Sequence, residues 1–331
     1  MSGELRGIDP DSYGHSLANL TELVLPILDA ADVGSVVEIG AYAGDLTRSL
    51  LGWAGEDGAR ITAIEPKPPP ALEELAAEHR ELELVAEPSH DALRHLPIPD
   101  AVIIDSDHNY YTLSGELRLI AERAPNGELP LLMLHDVGWP NARRDIYYAP
   151  ERIPEQERQP MVRGASLFPG EPGVVAAGLP TWWAAEREGG PRNGVLTAIE
   201  DFVADRDGLR MAIVPLFWGL GVLWRVGAPW AGSVADVVAG WDRHPILERA
   251  EANRVLHLAR TRVEIGRANA RAARQEELLR RMLNSSAFAW GERLSRLRKR
   301  GRPMFSRREI REALGEDGGD GPERPPGERS G

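Results

Sequence analysis

Val36-Val37-Glu38-Ile39-Gly40-Ala41-Tyr42-Ala43-Gly44-Asp45 reads as a short apolar strand closed by an acid, a turn carrying two glycines, and the first residue of a helix. Glycine turns sharply and lets backbone approach a ligand, so such a unit is the nucleotide-binding end of many α/β sheets. A plain strand-to-helix turn also carries glycine pairs, and the turn alone does not separate the two. The stretch departs from the dinucleotide fingerprint. Gly-x-Gly-x-x-Gly would need a second glycine where the chain has Tyr42, which disfavours a pyrophosphate ligand. Glu65 closes the next apolar run. A carboxylate there can accept hydrogen bonds from both hydroxyls of a ribose.

Working outward, short apolar runs at 35–39, 60–64, 82–85, 101–104 and 131–134 read as strands. They alternate with helical spacing that opens at 45–51 and recurs at 71–79 and 111–122. A further helix over 17–28 precedes them, with Pro26 expected to kink it or end it early. Strands alternating with helices predict a doubly wound, mostly parallel sheet, and unbroken apolar runs suit strands covered on both faces. Residues 137–190 break the rhythm with Pro, Gly, Arg and Glu around embedded aromatics. A connection this long after a sheet strand is expected to cover the active site. A helix at 193–203 follows, then two strands at 209–215 and 221–226 that read as an antiparallel hairpin closing a seven-stranded sheet.

The domain reading is a body at 1–230, a helical, basic-ended extension at 231–302, and a tail at 303–331 too polar and Gly/Pro-rich to fold. The extension contains a long charged helix at 244–283, suited to homo-oligomer contact. At 284–302 aromatic residues stand beside a basic run, suited to peripheral contact with an anionic membrane.

The 331 residues carry a net charge of −12, which argues against a nucleic-acid partner. There is no cysteine, so disulfides, thiolate metal sites and cysteine nucleophiles are excluded. No apolar run reaches the ~20 residues of a membrane span, and residues 1–10 lack the apolar core of a secretory signal. The expected location is cytoplasmic, with the basic stretch allowing contact with the inner face of the membrane.

Two polar clusters fall at the carboxyl ends of adjacent predicted strands, where open α/β sheets gather ligands. One is Asp105-Ser106-Asp107-His108-Asn109-Tyr110, the other His135-Asp136. Carboxylates on neighbouring strands can share one hard cation such as Mg²⁺, which holds paired hydroxyls and favours an alkoxide. A nearby histidine could take the proton. Asp and His also merely end strands, and His135 could be a hydrogen-bonded structural residue.

The acidic residue with Gly-x-x-x-Gly (Glu38, Gly40, Gly44), the acid Glu65 and the closing hairpin resemble the class I S-adenosylmethionine-dependent methyltransferases over about residues 11–228. The resemblance implies that Glu38, Gly40, Ala41, Tyr42 and Gly44 meet the methionine part of the cofactor. It implies that Glu65 and Pro66 hold the ribose, that Glu87, Pro88 and Ser89 line the adenine, and that Asp105 closes the site. The Asp-x-x-His of Asp105 and His108, with His135 and Asp136, is similar to the metal-dependent O-methyltransferases. That group includes macrocin and macrolide-sugar O-methyltransferases and the cephalosporin-hydroxylase-like proteins. It implies His108 as base, Asp105 and Asp136 as metal ligands, and S-adenosyl-L-methionine with Mg²⁺ or another divalent cation as cofactors. His135 stands where the relatives carry a carboxylate. Imidazole is a poor Mg²⁺ ligand, so His135 is either no ligand or a sign of a softer metal.

The expected acceptor is the hydroxyl of a sugar or glycosylated metabolite. Asp107, Tyr110, Arg143, Arg144 and Tyr147 are its candidate contacts. Two rival readings are a related metal-dependent hydroxylase and a membrane-associated scaffold with a methyltransferase-like body. Against the first, no 2-His-1-carboxylate triad shows in linear spacing.

Overall fold

The structure, a computed structural model, describes residues 15–297 and residue 310. Apart from residue 310, the expected tail at 303–331 lies outside the described residues, as does the end of the basic stretch after residue 297. The chain divides into two units, Met1–Arg260 and Thr261–Gly331.

The first unit is built on seven strands: β1 (Ser35–Ile39), β2 (Arg60–Ile64), β3 (Leu82–Val85), β4 (Ala101–Ile104), β5 (Leu131–His135), β11 (Leu209–Val214) and β12 (Leu220–Arg225). Their order is β11-β12-β5-β4-β1-β2-β3. β1 to β5 pair in parallel, whereas β12 runs antiparallel to both β5 and β11. This is the doubly wound, Rossmann-like architecture with a reversed hairpin that the sequence predicts.

Alternation across the sheet explains the unbroken apolar runs. Ala101 and Ile103 of β4, with Leu131 and Met133 of β5, enter one core. Val102, Ile104, Leu132 and Leu134 enter the other. Each face therefore needs every second residue to be apolar. The helices α1 (Thr21–Ala30), α2 (Asp45–Asp57), α3 (Pro70–Glu78), α4 (Ser89–Ala92), α5 (Tyr110–Arg123) and α6 (Val195–Ala204) flank these faces.

Pro26 neither ends nor splits α1. It sits on the exposed side, while Leu23, Val24, Ile27 and Leu28 are buried. The backbone bond lost at proline thus falls on the wet face, and packing carries the helix through.

Residues 137–190, read from the sequence only as an irregular cover, hold short strands. β6 (Ile146–Tyr147), β10 (Trp183–Ala185) and β7 (Met161–Arg163) form one small sheet, and β8 (Ser166–Leu167) and β9 (Leu179–Pro180) another. This segment is stitched to the main sheet. Ile146 N–H donates to the His108 carbonyl at 2.8 Å, Tyr148 N–H to Asp107 Oδ1 at 2.9 Å, and Tyr110 N–H to Asp145 Oδ1 at 2.8 Å.

After β12, α7 (Ala231–Val238) places Val234 and Val238 in the core beside α1. The long helix α8 (Pro245–Leu283) begins within the same unit. The body thus extends past residue 230, where composition alone places its end. In the second unit, α8 continues and α9 (Ser286–Leu297) follows, with Trp290 and Leu294 exposed. Among the described residues no helix is long and apolar enough to cross a membrane.

Candidate functional site

The strand order reverses between β1 and β4, since the chain leaves β1 for β2 on one side and returns to β4 on the other. At such a switch point the carboxyl ends of the strands open a crevice for ligands. Gly40 leaves β1 there and Asp105 leaves β4, with Asp105 N–H donating to the Ile39 carbonyl at 2.8 Å. Gly40 has φ +86°, and a Cβ on it would lie 2.1 Å from the Asp105 carbonyl oxygen. Its glycine is therefore demanded by the contact with β4, not only by a ligand. Gly44, at φ +79°, caps α2. Tyr42 also has positive φ, 44°, and is 71% exposed. A tyrosine there stores backbone strain with its side chain in solvent, which is common where a loop meets a ligand.

Glu65 stands at the crevice, fixed by Tyr42 N–H on Oε2 at 3.2 Å and Lys67 N–H on Oε1 at 3.1 Å. Its free lone pairs remain available to a diol. Glu38 is only 3% exposed and accepts from the Thr47 hydroxyl at 2.6 Å. Burial pushes its carboxyl up to about 7, against the Thr47 hydrogen bond. Glu38 thus lies beneath the glycine turn, tied to α2. At the far end of the crevice, Glu87 pairs with His95 at 2.9 Å, and Pro88 and Ser89 open α4. Burial also pushes Glu116 up to about 7, even though it accepts from the Ser106 hydroxyl at 2.8 Å.

The second cluster assembles as expected. His108 Nε2 lies 2.8 Å from Asp136 Oδ2 and 3.6 Å from Asp105 Oδ1. His135 Nδ1 lies 3.2 Å from Asp105 Oδ1 and 3.7 Å from Asp136 Oδ2. Asp105, His135 and Asp136 each offer one ligand atom, all within 4.8 Å of one another. The other nitrogen of His135, Nε2, is 2.8 Å from the Phe217 carbonyl oxygen. A carbonyl only accepts, so Nε2 carries the proton in that bond.

A neutral His135 then turns the lone pair of Nδ1 toward two carboxylates, which is repulsive without a cation between them. Either a proton or a metal ion resolves it. Burial opposes charge on His135, but Asp105 and Asp136 outweigh it and lift the ring to about 9. In the same way, the charge on His135 and hydrogen bonds from both imidazoles hold Asp105 well below the usual carboxylate range despite its burial. Two carboxylate oxygens and one imidazole nitrogen converging in this way fit a divalent cation. The nitrogen favours Mn²⁺, Fe²⁺, Co²⁺ or Zn²⁺ over Mg²⁺.

His108 has the same Nε2–H tautomer but presents its other edge to the cluster. Its Nδ1 faces the Asn141 amide nitrogen at 3.3 Å, so Nε2–H points at Asp136. Tyr148 packs edge-on against it, with ring centroids 5.3 Å apart. The backbone is unusual at this site. Asp136 has φ 60°, and Phe217, Trp218 and Gly219 form a run of three left-handed residues at 49°, 70° and 90°.

Two expected acceptor contacts, Arg144 and Tyr147, are corrected here by their burial, and Arg143 is found paired. Arg144 is buried and donates to the carbonyls of Ala185 at 2.5 Å and Pro172 at 2.7 Å. Tyr147 is buried and donates to Asp145 at 2.8 Å. Arg143 is held in a two-point pair with Glu200 at 2.5 and 2.7 Å. Arg144 and Tyr147 hold the cover together, and Arg143 ties it to α6. Tyr110 similarly donates to Asp201 at 2.8 Å. Tyr148, one residue past β6, is instead 60% exposed beside His108. Trp182, 69% exposed, sits one residue beyond β10 as Tyr148 does beyond β6, where Trp183 pairs with Tyr147. The sequence carries no signal separating Tyr148 from Tyr147. Only their placement in the folded cover does so.

The fold and the crevice thus define a Rossmann-like α/β protein with a nucleotide-type turn and a histidine–carboxylate cluster at its switch point. Residues 37–137, from β1 to the end of β5, match the family model described as a methyltransferase domain. No curated protein matches the chain. Similar solved structures include the S-adenosylhomocysteine-bound methyltransferase PaMTH1 of Podospora anserina. It is 16% identical over 66% of this chain and 82% of that one, with a TM-score of 0.41. The S-adenosylmethionine complex of human N-acetylserotonin methyltransferase is 15% identical over 65% of this chain and 55% of that one, with a TM-score of 0.36.

Proposed function

We propose that the chain transfers a methyl group from S-adenosylmethionine to a hydroxyl oxygen of a ring-bearing small molecule, such as a sugar, with a divalent cation beside the oxygen. The methyltransferase-domain match over residues 37–137 supports the reaction class. The observation that carries the finer reading is the convergence of Asp105, His108, His135 and Asp136 beside the turn after β1.

In this reading Glu65 accepts the ribose hydroxyls. Its orientation is preset by the Tyr42 and Lys67 amides. Ser89 and Glu87 border the adenine end. S-adenosylmethionine, when bound, supplies an electrophilic methyl on a sulfonium. Asp105, His135 and Asp136 would hold the cation, which supplies Lewis-acid stabilisation of an alkoxide. His108, beside Asp105 and Asp136, is the candidate base. Asn141 sets its tautomer and Asp136 stabilises its charged form. Burial alone would lower its basicity, but Asp136 and Tyr148 lift it well above the usual imidazole value. A ring so lifted keeps its proton near neutral pH, and a cation held by Asp105, His135 and Asp136 would offset the pull of Asp136 and return His108 toward the range of a base. Tyr148 and Trp182 offer exposed aromatic faces to the acceptor ring. The mild positioning demanded of two bound reactants is the largest gain such a frame provides.

Isothermal titration with S-adenosylhomocysteine tests the core of the proposal, and absence of binding at millimolar ligand removes it. Radiolabelled methyl transfer to a panel of glycosides and catechols, with and without excess chelator, tests the cation. Undiminished transfer in chelator removes the cation and leaves the methyltransferase.

A further inference from the structure

The carbonyl that receives His135 Nε2–H and the N–H of Trp218 belong to one peptide unit, because Phe217 and Trp218 are consecutive. That N–H donates to Glu251 Oε1 at 2.9 Å. Glu251 lies near the start of α8, in the part that belongs to the first unit. One planar amide is therefore pinned at both ends, by a carboxylate on one side and an imidazole on the other.

The carboxylate is itself fixed. Arg254 grips Glu251 with Nε on Oε2 at 2.6 Å and Nη2 on Oε1 at 2.6 Å. The same guanidinium sits 4.6 Å from the Trp218 ring centroid and 5.7 Å from that of Phe217. The Trp218 ring is also stacked on His15, 5.4 Å away with nearly parallel ring planes. These contacts hold a backbone that would not persist alone, since Phe217 and Trp218 both occupy the left-handed region. Gly138 closes the approach from the other side. A Cβ on it would lie 2.5 Å from the Trp218 carbonyl oxygen.

We propose that Glu251 and Arg254 are positioning residues for the cation site: through the Phe217–Trp218 peptide they fix the tautomer and orientation of His135, so that Nδ1 points at the cation with its lone pair. A negative carboxylate at the N–H end polarises the amide and strengthens its carbonyl as an acceptor. Metal-bound histidines commonly give their second nitrogen to a carboxylate or carbonyl, which fixes the ring and raises its basicity. Here a peptide is interposed between carboxylate and ring. The first turns of α8 thereby become part of the site, although no α8 side chain reaches the cation. This inference rests on the cation reading above.

The test uses the full-length protein with Mn²⁺ alone. Binding is followed by loss of the free-ion electron paramagnetic resonance signal. The His135 tautomer is read from ¹⁵N-histidine NMR without metal, above the pH of about 9 at which the ring gives up its second proton, and assigned with His135→Gln. Glu251→Ala is expected to weaken Mn²⁺ binding by about 10- to 100-fold, the range for removing an outer-sphere partner, and to move His135 off the pure Nε2–H form. Glu251→Gln keeps an acceptor for Trp218 N–H, so its tautomer signal stays as in the wild type. Arg254→Lys keeps the charge but loses the flat stack on Trp218, and is expected to fall between the two. If Glu251→Ala does not fold, Arg254→Lys carries the test. Wild-type Mn²⁺ binding that is unchanged in Glu251→Ala or Arg254→Lys overturns the coupling alone. No Mn²⁺ binding by the wild type overturns the cation reading and the coupling together.

Discussion

Replacing Glu38 with Gln isolates the cost of keeping an acid beneath the glycine turn. The carboxyl is pushed from 4.5 up to about 7, first by burial and then by the charges of Asp105 and Asp45, with the Thr47 hydroxyl opposing them. In the unfolded chain it ionises near 4.5, so between these values the folded protein holds a proton that unfolding releases. Stability should therefore fall as pH rises through that window, and the full penalty is present above pH 7. At about 1.4 kcal/mol per pKa unit the penalty is about 3 kcal/mol. Glu116 adds a second penalty of the same sign over the same window. Gln fills nearly the same volume, accepts the Thr47 hydroxyl and never ionises.

Urea unfolding of wild type and Glu38→Gln at pH 5 and pH 8 measures the effect. The two proteins should be of similar stability at pH 5, with the variant about 3 kcal/mol more stable at pH 8. Glu116 and the histidines titrate in both proteins and cancel in the comparison. An equal difference at the two pH values would show that Glu38 ionises normally, and the burial argument would be wrong.

Three further outcomes follow from the geometry. Arg144→Ala should destabilise the fold by about 2 to 5 kcal/mol, because the Ala185 and Pro172 carbonyls lose their buried donor. Calorimetry should then show S-adenosylhomocysteine affinity unchanged in the folded fraction, whereas a selective loss of binding without loss of stability would refute the structural role of Arg144. Gly40→Ala should fail to give soluble protein or lose well over 3 kcal/mol, since its methyl would overlap the Asp105 carbonyl. Normal thermal unfolding of that variant would refute the close-approach argument. Tyr42→Gly removes about 1 kcal/mol of left-handed strain but loosens the unfolded chain by a similar amount. Its denaturation midpoint should hardly move while S-adenosylhomocysteine binds more weakly, and unchanged binding would leave Tyr42 without a role at the crevice.

The main sheet was legible because its strands are buried on both faces and its connections are short. Runs such as Ala101–Ile104 declare themselves by composition, and Asn109, whose side chain accepts from Thr112 N–H, marks the following helix start. The cover was not legible. Its strands are two or three residues long, and Ile146 pairs with Ala184 across a long stretch of chain, so no local period betrays them. The cluster was legible by residue type and strand-end position. What linear spacing hid was the hydrogen bond from His135 Nε2 to the Phe217 carbonyl, which comes from a distant part of the chain. The roles of Arg144 and Tyr147 were misread because arginine and tyrosine serve a buried hydrogen-bond network as readily as a ligand. Glu251 and Arg254 were read only as part of a charged helix, and nothing in their spacing points to Trp218.

The contact between Gly40 and Asp105 has a consequence for how such a protein can change. The turn that would receive the methyl donor and the residue that would help hold the acceptor's oxygen are riveted backbone to backbone at adjacent strand ends. The gap between the two reactants is then a property of the sheet register, not of any loop. The cover is pinned to the main sheet, but it does not set that gap. Its strands could be lengthened, replaced or given new aromatic faces, and the acceptor exchanged, while the distance across which the methyl must travel stays as it is.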